Sequence, residues 1–171
     1  MRKRVVARLA ACVLSAAGAL AQSKPSDVGT WKVDISHSDF GSDPPPKSVT
    51  VTILKDTPKM LSWRVHMIDD KGKPLSYSWS GPEDGSMHPV ISNGKEISKQ
   101  SAKREPDGSL LRHGEISDGS FFDARSKLSE DGNTIIEEGT SKSKDGKESK
   151  GKTLYRRVSG TKKTGEKKLA E

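Results

Sequence analysis

The residues best suited to hold a metal or move a proton at neutral pH are four histidines, His37, His66, His88 and His113. They are scattered, with no pair at i, i+2 or i, i+4, whereas zinc needs three or four converging donors. No metal site is expected from them. Six Asx-Gly pairs invite a calcium reading, yet none runs on into the spaced oxygen ligands and closing glutamate of an EF-hand loop. Glu137 and Glu138 are neighbours on an extended segment, so they face opposite ways and cannot flank one substrate bond. The chain has no Gly-x-Ser-x-Gly elbow and no Gly-rich phosphate loop opening a helix. No catalytic residue and no cofactor are expected.

What remains is apolar surface. Leu61, Trp63, Val65 and Met67 alternate with polar residues, and Leu75, Tyr77 and Trp79 repeat the pattern opposite Ser76, Ser78 and Ser80. On paired strands these side chains stand about 5 Å apart and form one aromatic surface, to which Phe121 or Phe122 adds. Two readings stay open: the residues fill a solid interior, or they line a cavity for a small apolar molecule. On the second, the candidate ligand-binding residues are Trp63, Val65, Met67, Tyr77 and Trp79.

The elements that would position them are strands. Trp31, Val33 and Ile35 share one face, as do Val49, Val51 and Ile53, and strict period-two alternation marks half-buried strands. Phe122, Ala124 and Leu128 line a later strand, and Ile135-Ile136 and Leu154-Tyr155 mark the last two. The Asx-Gly pairs at 84–85, 93–94, 107–108, 118–119, 131–132 and 145–146 tolerate the positive φ of hairpin turns. The segments between them are too short for the helices that parallel strands need as crossovers. The fold expected is all-β: an antiparallel up-and-down meander of about 8–10 strands, closed into a barrel that leaves no edge. A membrane barrel needs a continuous apolar outer band; here the outward faces carry Lys, Glu, Asp and Arg.

Residues 1–21 read as a signal peptide, with basic Arg2, Lys3, Arg4 and Arg8, an apolar run, and small Ala19 and Ala21 before a cut at Gln22. The run is too short to span a bilayer. The expected organisation is 1–21 signal, 22–27 flexible N-terminus, 28–160 barrel and 161–171 disordered basic tail, in the periplasm or secreted. The chain's +7 charge drops to +3 once the signal's four bases leave, and much of that excess sits in the tail, so nucleic acid is not an expected partner. Cys12 leaves with the signal, so the mature domain has no disulfide and rests on its core alone. That core is lean: 26 Leu, Ile, Val and Phe in 150 mature residues border on a disordered composition, and alternation with low net charge argues for a fold.

Gly29-Thr30-Trp31 resembles the Gly-x-Trp that opens the first strand of lipocalin-like (calycin) barrels. Joined to Ser38-x-Phe40, the Pro44-Pro45-Pro46 stretch and the closing segment from Leu128 to Tyr155, it is similar to a group of small exported bacterial proteins of that type. The resemblance implies a barrel in which Trp31 plugs the closed end under an arginine of the last strand. Arg156 and Arg157 both stand there, and as neighbours they point to opposite faces. It implies no activity and no catalytic residue. Three functions remain: a binder of a small hydrophobic ligand, a protein- or glycan-interaction module acting through an exposed face or the basic stretch Lys142 to Arg157, and a barrel enzyme.

Overall fold

The computed structural model describes residues 26–158. The expected signal peptide with Cys12, most of the expected flexible segment 22–27 and the basic tail lie outside the described residues. Ten strands follow in order: β1 (Gly29–Val33), β2 (Ser48–Thr57), β3 (Met60–Ile68), β4 (Pro74–Gly81), β5 (His88–Ser92), β6 (Lys95–Arg104), β7 (Leu110–Ile116), β8 (Phe121–Leu128), β9 (Thr134–Lys142) and β10 (Glu148–Arg157). A single 3₁₀ turn, Ile35–His37, interrupts the β1–β2 connection. Each strand pairs antiparallel with the next, and β1 pairs with β10, so the sheet is a closed meander barrel. Among the described residues no helix is long and apolar enough to cross a membrane.

Turn chemistry sets this topology. Asn93 and Gly94 both take positive φ, which makes the two-residue β5–β6 loop a type I′ turn. The β2–β3 loop, Pro58-Lys59, is also two residues, with the Thr57 hydroxyl bonded to the Met60 backbone, and the remaining hairpins are longer. At β6–β7 the Gly108 N–H donates to the Glu105 carbonyl while Asp107 accepts from the Ser109 N–H and hydroxyl. Those bonds, then Arg125, hold the Asp107 carboxyl well below the usual carboxylate range. β7–β8 and β9–β10 close the same way, with a glycine at positive φ and a bond back to the residue three before it.

Two bulges correct the strict alternation. Ile53 pairs with Trp63 but Lys55 with Ser62, so Leu54 is an extra residue pushed outward. Val90 pairs with Ser98 but Ile91 with Glu96, which makes Ile97 the extra residue. This second bulge brings both Ile97 and Ser98 to the interior, although neighbours in a regular strand face opposite ways.

One end of the barrel is closed by aromatic and ionic contacts. Trp31 is fully buried, its Nε1 donating to the Asp27 carbonyl at 2.8 Å. The Arg157 guanidinium lies 4.1 Å over the indole and donates to three backbone carbonyls, Gly132 (2.6 Å), Val28 (2.8 Å) and Ser26 (2.7 Å). Arg156 points outward instead and donates to Asp34. At the same end Arg104 gathers Asp27 (2.9 Å), Asp56 (2.6 Å) and Glu83 (2.8 Å). Ser26 and Asp27, the last two residues of the expected flexible 22–27 segment, take part in these contacts. Asp27 is buried because Arg104 reaches it, and the burial pushes its carboxyl above the ordinary value despite that cation.

Replacing Trp31 by alanine should cost about 3–5 kcal/mol in urea unfolding, as for a large aromatic lost from a core. Arg157→Lys keeps the charge but loses the planar fork that serves three carbonyls, and should cost about 1–3 kcal/mol. Arg156→Lys, on the outer face, should stay within about 0.5 kcal/mol of the parent. Equal losses at the two arginines would contradict this assignment of the closed end.

Candidate functional site

Ten strands make a wider barrel than its inward side chains fill, since diameter grows with strand number. The interior holds a cavity of about 420 Å³, within the range of small-molecule pockets. Val49, Val51 and Ile53 of β2 line one side, followed by Leu61, Trp63, Val65 and Met67 of β3 and Leu75 and Tyr77 of β4. Leu75 and Ile116 line the cavity yet are exposed at 39% and 42%. They sit beside the β3–β4 and β7–β8 turns, and an up-and-down meander puts those turns opposite the Arg104 and Arg157 contacts. That end is the mouth.

The structure places Trp63, Val65, Met67 and Tyr77 on this cavity, while Trp79 does not line it. The Trp79 ring stacks on Trp63 at 6.2 Å and covers Gly81, where a Cβ would come within 2.7 Å of it. Its Nε1 donates to the Gln100 carbonyl at 2.9 Å and the His88 carbonyl at 3.2 Å. These two acceptors, beside the bulged β5–β6 pair, hold the indole within the wall. Tyr77 meets Trp63 edge-on at 5.9 Å. Of the two phenylalanines Phe122 lines the cavity and Phe121 is exposed. The Phe122 ring crosses β7 at Gly114, where a Cβ would lie 2.1 Å from it, so only glycine lets the ring take this course.

Sequence reasoning missed the polar part of the interior. Arg112, Glu137 and Tyr155, from three different strands, all line the cavity. The Arg112 guanidinium donates to Glu137 Oε2, and the Tyr155 hydroxyl donates to Glu137 Oε1 at 3.1 Å. Burial pushes the Arg112 pKa down, but the Glu137 carboxylate, by its charge and its hydrogen bond, holds the guanidinium charged. Burial, then the Glu137 charge, drives the Tyr155 hydroxyl well above its usual value, and burial raises Tyr77 as well. Both tyrosines are therefore protonated at neutral pH. Arg112 also stands 5.9 Å from the Phe122 ring centroid. A parity signal for the pair existed: Arg112 lies between Leu110 and Gly114 on the inward face, and Glu137 shares the face of Ile135.

Two residues of the cavity wall carry donor nitrogens that are sealed from the cavity itself. Trp63 Nε1 and Gln100 Nε2 are buried and find no acceptor among the described residues. Each orphaned donor weighs about 1–3 kcal/mol against the fold. The histidines do not converge: His66 bonds Ser76 and His113 bonds Asp123, each on exposed groups. Among the described residues no three His, Cys, Asp or Glu side chains come together as a metal site. The bases of the β9–β10 hairpin are divided as well. Lys142 pairs with Glu148, Lys152 with Glu138 and Arg156 with Asp34, while Arg157 covers Trp31.

Glu137→Leu should destabilise the protein by about 3–5 kcal/mol, because it leaves the Arg112 charge without its partner. The double variant Arg112→Met, Glu137→Leu should cost less than Glu137→Leu alone. Chemical denaturation of the single and double variants measures this coupling, and costs that simply add would contradict an interior ion pair.

No family model and no curated protein matches the chain. Among solved structures it is similar to a de novo designed fluorescence-activating β-barrel, at 16% identity over 77% of this chain and 93% of that one, with a TM-score of 0.42.

Proposed function

We propose that this protein binds a small, largely apolar molecule inside its barrel, and does so outside the cytoplasm after removal of residues 1–21. One observation carries the reading: the interior is a cavity of about 420 Å³ with aromatic and aliphatic walls and one accessible end. A barrel needing only a core would gain stability by filling that space, since close packing is the norm of protein interiors. Binding is favoured over catalysis because the two carboxylates on the cavity wall are already engaged, Glu137 by Arg112 and Tyr155 and Asp27 by Arg104. A general base needs a free oxygen within reach of the substrate's proton. The kinship with lipocalin-like barrels belongs to this proposal too. It is supported by the Trp31–Arg157 stack, while the ten strands exceed the lipocalins' eight or so.

The uncharged dye N-phenyl-1-naphthylamine should enter the cavity, brighten there and quench tryptophan emission. Trp63→Ala removes part of the wall and should weaken dye binding about tenfold, equivalent to about 1.4 kcal/mol of lost contact. Arg64→Ala, on the outer face of the same strand, should change it less than about twofold. If the dye binds none of the three proteins while all stay folded, the ligand-binding reading fails.

A further inference from the structure

The polar groups open to the cavity stand on one side of it. Among the described residues the sealed, unpartnered side-chain nitrogens are Trp63 Nε1 and Gln100 Nε2, and they offer the interior nothing. The hydroxyls of Tyr77, Ser98 and Ser126 also lack a partner there but are not sealed, so they are open to the cavity their residues line. Arg112 bonds Glu137 through Nη2, and its Nε and Nη1 are open in the same way. The Tyr77 hydroxyl lies close enough to Arg112 and Glu137 for both charges to act on it. These groups come from β4, β6, β7 and β8, among the apolar Leu110, Ile116 and Phe122. In a ring of ten strands β7 and β8 stand opposite β2 and β3. There Val49, Val51, Ile53, Leu61, Val65 and Met67 present no polar side-chain atom.

The charged groups are already matched to one another. Glu137 is held by Arg112 and Tyr155, and Asp27, at the closed end of the cavity, by Arg104. Arg104 also serves Asp56 and Glu83. Four carboxylates thus outnumber Arg104, Arg112 and Arg157 around the interior, and an anion is repelled. An ammonium group would meet two lining carboxylates that each have a cation already. We infer that the ligand is an uncharged hydroxylated compound, an apolar skeleton with its hydroxyl groups along one side. That side lies toward Tyr77, Arg112 and Ser126, and the bare side lies on β2 and β3. This rests on the reading of the cavity as a binding site and adds the ligand's chemical class. A ligand hydroxyl accepts from Arg112 or Tyr77 and donates to a serine or tyrosine oxygen, where a carbonyl could only accept. An analogue without the hydroxyl leaves those groups unpaired in a space newly closed to water, so the site rejects it.

Calorimetric titration with four probes on one ring system tests this: 2-naphthol, its isostere 2-methylnaphthalene, 2-naphthoate and 2-naphthylmethylammonium. The naphthol should bind about tenfold more tightly than the methyl compound and more tightly than either ion. In Tyr77→Phe, which keeps the aromatic wall and removes one hydroxyl, the naphthol's advantage should shrink to about threefold or less. An advantage unchanged in that variant would overturn Tyr77 as an anchor. Equal affinities for naphthol and methylnaphthalene would overturn the hydroxylated class and leave the cavity reading standing. Tightest binding of either ion would overturn the uncharged class. Failure of all four probes to bind folded protein would remove the cavity reading and this inference with it. Urea unfolding of ligand-free Tyr77→Phe is an independent readout. Its midpoint should match the parent's, and a clear fall would show that the Tyr77 hydroxyl already has a partner in the protein and overturn its role.

Discussion

Everything in this barrel depends on the seam between its first and last strands. Only three residue pairs register β1 with β10, Trp31 with Arg157, Lys32 with Arg156 and Val33 with Tyr155. Without that seam the ten strands are an open sheet with two exposed edges, β1 and β10, which is a template for aggregation. The short ladder is reinforced from the side chains: Arg157 stacks on Trp31 and ties the last strand to the carbonyls of Ser26, Val28 and Gly132. The same contacts seal one end, so closing the sheet and making an enclosed interior are one event. Arg104 completes the seal by drawing in carboxylates from the N-terminal segment, from β2 and from the β4–β5 connection.

Closure then explains the lean composition. A ten-stranded barrel has more interior than small domains usually fill, and this chain brings few large apolar residues to it. They are concentrated on β2, β3 and β4, where Leu61, Trp63, Val65 and Trp79 form a compact buried cluster. Across the cavity the inward positions of β7 to β10 include Arg112, Ser126, Glu137 and Tyr155, with Leu110, Ile116, Phe122 and Ile135 among them. The packed core is thus weighted to β3 and β4, with Val90, Ala102 and Leu110 completing it, and the neutralised polar groups stand on β7, β9 and β10. The space left between is the cavity.

Much of this was legible in the sequence because two local rules are strong. Asx-Gly pairs mark hairpin turns, and strict alternation assigns faces, so the meander and four residues of the cavity, Trp63, Val65, Met67 and Tyr77, could be read directly. Trp79 could not be separated from them by parity, because it shares their face. What removes it from the cavity is the pair of carbonyls at Gln100 and His88, a feature of tertiary packing. Ile97 and Ala102 differ in parity along one strand, yet the β6 bulge puts both inside. The Arg112–Glu137–Tyr155 contact was the least readable. Polar residues on an inward parity resemble ordinary strand-edge charges until three strands distant in sequence are known to converge. The choice between Arg156 and Arg157 follows from register alone, since Arg157 sits opposite the inward-facing Trp31.

The hollow interior is the claim on which the functional account stands, and pressurising crystals of the protein with xenon tests it without assuming any ligand. Xenon enters dry apolar cavities and leaves packed cores alone. The account predicts anomalous density inside the barrel, bounded by Val51, Val65, Met67 and Phe122, with no rearrangement of Trp31 or Arg157. Peaks confined to the outer surface, with the inward side chains of β3 and β8 in direct contact across the barrel, would contradict it.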